Sequence, residues 1–420
     1  MIKKVIWAYV ILLVFEGAIR KWVLPGLASP LLLVRDPLAI WLIFTVWNKK
    51  LFPDNIYLTI CMSIGVIGIL TTVFFGHGSI PVALYGARPY LVHFPVIFIM
   101  GSMLGKEDVE SIGKAVLYAT ILMTAIISLQ FYSPQSSWIN RGVGGDTEGS
   151  GFNGALGFYR PSGTFSFTNG IALFYSLASC FIFYFWLKPG KVNSYLLIFA
   201  TIGLMVAIPF SISRGLFFSV IVTALFVLFT VTSNAKLLSR IIIASFILIV
   251  VVALLSQTSA FQTATEAFSA RFRTASNSEG GLEGTLIDRY LGGLLKAFNF
   301  DEALPAFGYG LGSLSNVGSM LLSGSIVKGI SEGEWGRGIY ETGVVLGMGM
   351  IFVRMGLSVQ MLLRAYKRLT EGDVLPWILL SAFLLNIPQG QWSQATALGF
   401  STVIGGLCIA SLNPEKNDLN

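Results

Sequence analysis

Long apolar runs separated by short polar segments recur along the whole chain. They mark helices at about 5–24, 31–47, 56–74, 89–105, 112–132, 168–187, 194–212, 215–232, 241–256, 338–358, 375–390 and 395–412. Runs of roughly 17–20 apolar residues match the thickness of a bilayer core. Evenly spaced ten-residue stretches of alternating polarity are absent, which argues against a β-barrel. The pattern therefore predicts an all-α integral membrane protein with about 12 transmembrane helices. A large, partly helical loop, 257–337, separates the ninth from the tenth, so the chain divides into 1–256, 257–337 and 338–420. In that loop AFQTATEAFSARFR (260–273) places Phe261, Ala264, Phe268 and Phe272 near helical spacing, predicting a short amphipathic helix at the membrane interface. TLIDRYLGGLLKAF (285–298) predicts a second helix, GYGLGS (308–313) a loop, and a helix resumes near Trp335.

Composition agrees. Of 420 residues 54% are apolar and 12% charged, about half the charge of an ordinary soluble chain. The first helix lacks a small-residue cleavage site and reads as a retained anchor. Cys61, Cys180 and Cys408 lie in apolar runs and form no CxxC, and His77 and His93 are too few for a histidine metal site. No metal or cofactor is expected. The net charge of +7 is spread over span ends, a distribution that does not point to nucleic acid.

Lysines follow alternate spans (Lys49/Lys50, Lys188/Lys191, Lys236), which predicts cytoplasmic termini by the positive-inside rule. On that topology the inner side carries eleven lysines and three arginines, the outer side ten arginines and three lysines, and Arg354 falls inside a span. Orientation needs positive charge inside but not arginine outside. A guanidinium binds phosphate or carboxylate bidentately, as an ammonium cannot. The outer face thus has the composition of an anion site, with interfacial snorkelling as the plainer alternative.

Particular residues sharpen this. Arg214, in SISRG, is the one charge between Tyr195 and Thr232; a lone cation at a tight turn between two spans is usually functional. Arg160 stands in FYRPSGTFSFTNG, where Pro161 and Gly163 make a turn and Thr168 or Asn169 can cap the next helix. Arg289 follows Asp288 and is equally well read as half of a surface ion pair. In EGEWGRGIYETG, Glu334, Arg337 and Glu341 fall at i, i+3 and i+7 on one helix face, where Arg337 can pair with either acid. Glu332 or Glu334, near desolvating walls, is the candidate general base. The first hairpin sets Arg20, Lys21 and Arg35 against Glu16 and Asp36 as a charge network. Arg337, Glu341, Arg88 and Arg35 are secondary site candidates.

RPSGTFSFTNG, SISRG, DRYLGGLLKAF…AFGYGLGS and IYETG, in this order around a large loop between the ninth and tenth of about twelve spans, resemble the O-antigen ligase and O-antigen polymerase superfamily. The resemblance implies a metal-independent, inverting glycosyltransferase of the bacterial inner membrane that polymerises polyprenyl-diphosphate-linked oligosaccharides on the periplasmic face. It implies that Arg160, Arg214 and Arg289 bind the lipid diphosphate. Its expected partners are a lipid-linked donor, a glycan acceptor, membrane lipids and a chain-length regulator or export complex. The family's His-Asn pair, eleven residues before the glycine of E-x-G, falls on Glu332 and Gly333 here, so Glu332 or Glu334 would replace the histidine. Ligase-type transfer to another acceptor, a lipid-glycan flippase and a non-catalytic export scaffold are the alternatives.

Overall fold

The computed structural model describes residues 1–233, 237–278, 304–324 and 333–413. Each of the twelve apolar stretches forms a helix. In chain order these are α1 (Ile2–Ala18), a single turn α2 (Ala28–Leu31), α3 (Asp36–Asn48), α4 (Ile56–Phe75), α5 (Ile80–Arg88), α6 (Phe94–Met103) and α7 (Lys106–Tyr132). After a hairpin, β1 (Phe152–Ala155) and β2 (Phe158–Arg160), come α8 (Asn169–Leu187), α9 (Ser194–Phe210), α10 (Arg214–Ser233), α11 (Leu237–Leu255) and α12 (Ser259–Ser278). The C-terminal part holds α13 (Asn316–Ser323), α14 (Glu334–Thr370), α15 (Leu375–Asn386) and α16 (Ala395–Ala410). Among the described residues six helices are long and apolar enough to cross a membrane. The predicted helix over 285–298 lies outside the described residues.

Helix starts follow local chemistry. Asn55 accepts from the Tyr57 and Leu58 N–H groups at the head of α4, and Asn193 accepts from Tyr195 at the head of α9. Thr168, expected to cap α8, does so without a side-chain bond, and Asn169 instead donates to Gln394. The antiparallel hairpin departs from an all-α reading. Its loop, Leu156–Gly157, has both residues at positive φ (53° and 81°), the turn that matches strand twist.

α8, α15 and α16 are buried on nearly every side and form the centre, with α6 against α16 and α10 against α8. The peripheral helices turn large apolar side chains outward, among them Phe44, Phe74, Phe352 and Leu363, each more than 60% exposed. Apolar surface of this extent faces lipid rather than water.

The two ends of the bundle differ in chemistry. α1 begins at one end with Lys3, paired to Asp108 at 2.5 Å, beside Lys106–Asp373 at 3.0 Å and Lys191–Glu110 at 3.1 Å. α1 finishes at the other end in Arg20 and Lys21, inside a π-helical turn, Ile19–Val23. α14 runs the opposite way, from Glu334 to Lys367 and Arg368.

Candidate functional site

The arginine-bearing end is a belt of buried charge. Arg35, 2% exposed, donates from Nε to Glu16 Oε2 (2.9 Å) and from Nη2 to the Ala395 carbonyl (2.7 Å). Arg20 Nη1 lies 3.5 Å from the other Glu16 oxygen and donates to Ser166 Oγ, tying α1 to the loop before α8. Two members of the expected network sit differently. Lys21, fully buried, donates to Ser162 Oγ (2.9 Å) and the Gly163 carbonyl (2.7 Å), with no carboxylate at ion-pair distance among the described residues. Asp36 holds Arg88 bidentately, at 2.5 and 2.7 Å. It also meets His93 Nε2 at 3.1 Å, and His93 Nδ1 meets the Tyr9 hydroxyl at 2.8 Å. His93 lies in a second π-turn, Pro89–His93. Single π-turns re-aim the side chains of an otherwise regular helix and often mark functional sites.

The acids of EGEWGRGIYETG form the other half. Arg337 pairs with both glutamates at once: Nε and Nη2 donate to Glu334 at 3.1 and 2.7 Å, and Nη1 to Glu341 at 2.5 Å. Arg354, on the limb of α14 beyond the Gly343 break, approaches Glu334 Oε1 at 3.3 Å, donates to the Ile387 and Gly390 carbonyls, and stacks on Trp392 at 4.0 Å. Both oxygens of Glu334 therefore face guanidiniums. The second oxygen of Glu341 accepts from the Leu314 N–H at 3.1 Å, which ties the GYGLGS segment to α14.

The glycines of that contact are a backbone requirement. Gly343 takes φ 78° and breaks the helical path inside α14. The Tyr309 and Gly310 N–H groups donate to the Tyr340 and Glu341 carbonyls, both at 2.9 Å. A Cβ on Gly343 would strike the Ala306 carbonyl, and one on Gly308 the Gly343 amide. Gly308 and Gly343 thus permit the same close approach of two backbones.

Arg160 and Arg214 come into one neighbourhood. Arg214 is buried at the first position of α10, after a turn, Ser211–Ser213, in which Ile212 has φ 47°. The β1–β2 hairpin lies on that turn: a Cβ at Gly154 would touch both Ile212 and the stem of Arg160. α12 closes over the same region. Its Phe268 and Phe272 meet Phe217 and Phe218 of α10, and its Ala264 and Ala267 are buried. Arg289 and Glu332 lie outside the described residues.

At this end Arg20, Lys21, Arg35, Arg88, Arg337 and Arg354 are buried in the same belt as Glu16, Asp36, Glu334 and Glu341. Among these described residues that is an excess of two buried positive charges. Desolvating a charge costs several kcal/mol unless it is matched, so an anionic ligand would complete the site. Sequence reasoning placed Arg35, Arg88, Arg337 and Glu341 among secondary candidates and left out Asp36, His93, Arg354 and Trp392 as site residues. The signal for the first three was their polarity inside apolar runs.

The chain matches no family model, no curated protein and no solved structure.

Proposed function

We propose that this chain is an integral membrane glycosyltransferase of the bacterial inner membrane, related to O-antigen polymerases and ligases. It lengthens polyprenyl-diphosphate-linked glycans. Twelve crossings put both termini and the lysine end in the cytoplasm and the arginine end in the periplasm. The observation that carries this reading is the gathering of buried guanidiniums at one end of the bundle, opposite the Lys3, Lys106 and Lys191 ion pairs.

In the reaction, Arg160, Arg214 and Arg289 hold the diphosphate and stabilise the charge that develops as it leaves. An acceptor hydroxyl attacks the anomeric carbon from the opposite face. The new C–O bond forms as the bond to the diphosphate breaks, and the configuration inverts. A glutamate takes the hydroxyl proton. Glu334 is occupied by Arg337 and Arg354, which favours Glu332 for that role and gives Glu334 the task of holding the arginines. The donor is already activated by its diphosphate, so the reaction calls for neither metal nor nucleotide sugar.

One observation favours a second reading. The break at Gly343 beside buried Arg337 and Arg354 is the kind of discontinuous, charged helix that transporters use, and it suits a lipid-glycan flippase. Purified protein given a polyprenyl-diphosphate oligosaccharide separates the two. Longer glycan with released polyprenyl diphosphate supports transfer. Movement of the substrate across a vesicle membrane without lengthening supports transport and defeats the first reading.

A further inference from the structure

The turn that follows Arg160 is gripped from three sides. Residues 161–165 are buried without a break, while Arg160, just before them at the end of β2, is half-buried. Gln130 of α7 brackets Gly163: its Oε1 accepts the Gly163 N–H at 2.7 Å, and its Nε2 donates to the Gly163 carbonyl at 3.2 Å. From the segment before the hairpin, the Ser150 hydroxyl meets the Ser162 hydroxyl at 2.7 Å. The third grip is Lys21. Its Nζ donates to the same Ser162 hydroxyl at 2.9 Å and the same Gly163 carbonyl at 2.7 Å, and it lies 4.9 Å from the centre of the Trp22 ring. Lys21 stands in the π-turn that ends α1, and its neighbour Arg20 holds Ser166 at the far end of the turn.

Lys21 is the unusual member of this clamp. It is wholly buried, with no carboxylate at ion-pair distance among the described residues. An ammonium in that position is strongly disfavoured, and a neutral donor can hold a loop, as Gln130 does on the same carbonyl. What the ammonium adds is strength: a charged donor makes hydrogen bonds stronger than a neutral one does, and its head serves hydroxyl and carbonyl together. Ionisable residues retained inside a membrane protein at such cost mark functional positions. Only Pro161, with its fixed φ, separates the clamped Ser162 from Arg160, so movement at Ser162 is passed on to Arg160.

We propose that Lys21 is the positioning residue for Arg160: from the end of α1 it fixes the turn at 161–163, and with it the place of the guanidinium that meets the substrate's phosphate. The proposal rests on the reading that Arg160 binds the lipid diphosphate. It gives Lys21 no contact with substrate.

The test follows transfer from a polyprenyl-diphosphate oligosaccharide by the full-length protein in detergent micelles, with kcat and KM for donor and acceptor. Arg160→Gln lowers donor kcat/KM about 100-fold. Lys21→Met keeps an unbranched stem but loses the donors, and lowers donor kcat/KM about tenfold with acceptor KM unchanged. In the Arg160→Gln background Lys21→Met costs less than about twofold, because its effect runs through Arg160. Ser162→Ala removes one grip, leaves Lys21 on Gly163, and stands in if Lys21→Met does not fold; its loss, about threefold, likewise vanishes without Arg160. A wild-type rate in the folded variant, or a loss of equal size in both backgrounds, overturns the positioning role and leaves Arg160 in the site. Wild-type turnover by Arg160→Gln removes the diphosphate reading, and this proposal with it.

Discussion

Replacing Arg337 by glutamine probes the charge cluster at its centre. Arg337 makes three donor contacts to two carboxylates, and Glu341, the deeper of these, is fully buried. A glutamine amide cannot supply a positive charge or reach both acids. Glu341 would keep the Leu314 N–H and Glu334 would keep Arg354 at 3.3 Å, so one carboxylate loses its only cation at ion-pair distance among the described residues. Removing one partner of a buried pair costs about 3–5 kcal/mol, most of it the stranded charge. Equilibrium unfolding in detergent should show Arg337→Gln destabilised by that amount. Glu341→Gln alone leaves Arg337 its two bonds to Glu334 and should cost less, about 1–3 kcal/mol. The double variant no longer strands Glu341, so its loss should fall short of the sum by about 0.5–3 kcal/mol. Strict additivity, or an Arg337→Gln protein within about 1 kcal/mol of wild type, would refute the view that these three residues form one buried unit.

Three further outcomes are expected. Arg214→Lys keeps a positive charge at the head of α10 but loses the planar fork, and glycan transfer should drop about 100-fold with the melting curve little changed; wild-type turnover would remove Arg214 from the site. Of Glu332→Gln and Glu334→Gln, the first should abolish transfer and the second should chiefly lower stability; full rates in both, measured on a lipid-linked donor, would place the base elsewhere. Gly343→Ala puts a side chain at φ 78° against the Ala306 carbonyl and should cost at least about 1–2 kcal/mol, whereas Gly338→Ala, open on all sides, should be neutral or stabilising by up to about 1 kcal/mol; equal effects in thermal melts would contradict the backbone contact.

The helices were legible because burial in lipid demands long apolar runs, and the runs are there to read. What joins them was not. Arg88 and Asp36 are 52 residues apart, and Arg354 meets Glu334, 20 residues away, only because the chain turns at Gly343, separations with no periodic signature. The apolar pattern put one helix at about 89–105, yet the chain is helical from Ile80 and passes Pro89 through a π-turn. The hairpin at 152–160 was hidden because its strands are three and four residues long, although GALG, with a glycine in the turn, was a usable hint. Within EGEWGRGIYETG the i, i+3, i+7 spacing foretold Arg337 between two glutamates, because a helix face is a local property. Asp36 and Lys21 were misassigned within their network because their partners come from α5 and from the loop before α8.

The proposed function has the arginine end hold a lipid diphosphate. A cryo-electron microscopy map of the full-length protein with polyprenyl diphosphate would test it most directly. Phosphate density is expected against Arg160 and Arg214, with the isoprenoid chain leaving between helices. Density at the lysine end beside Lys106 and Lys191, or none with ligand in saturating excess, would contradict it.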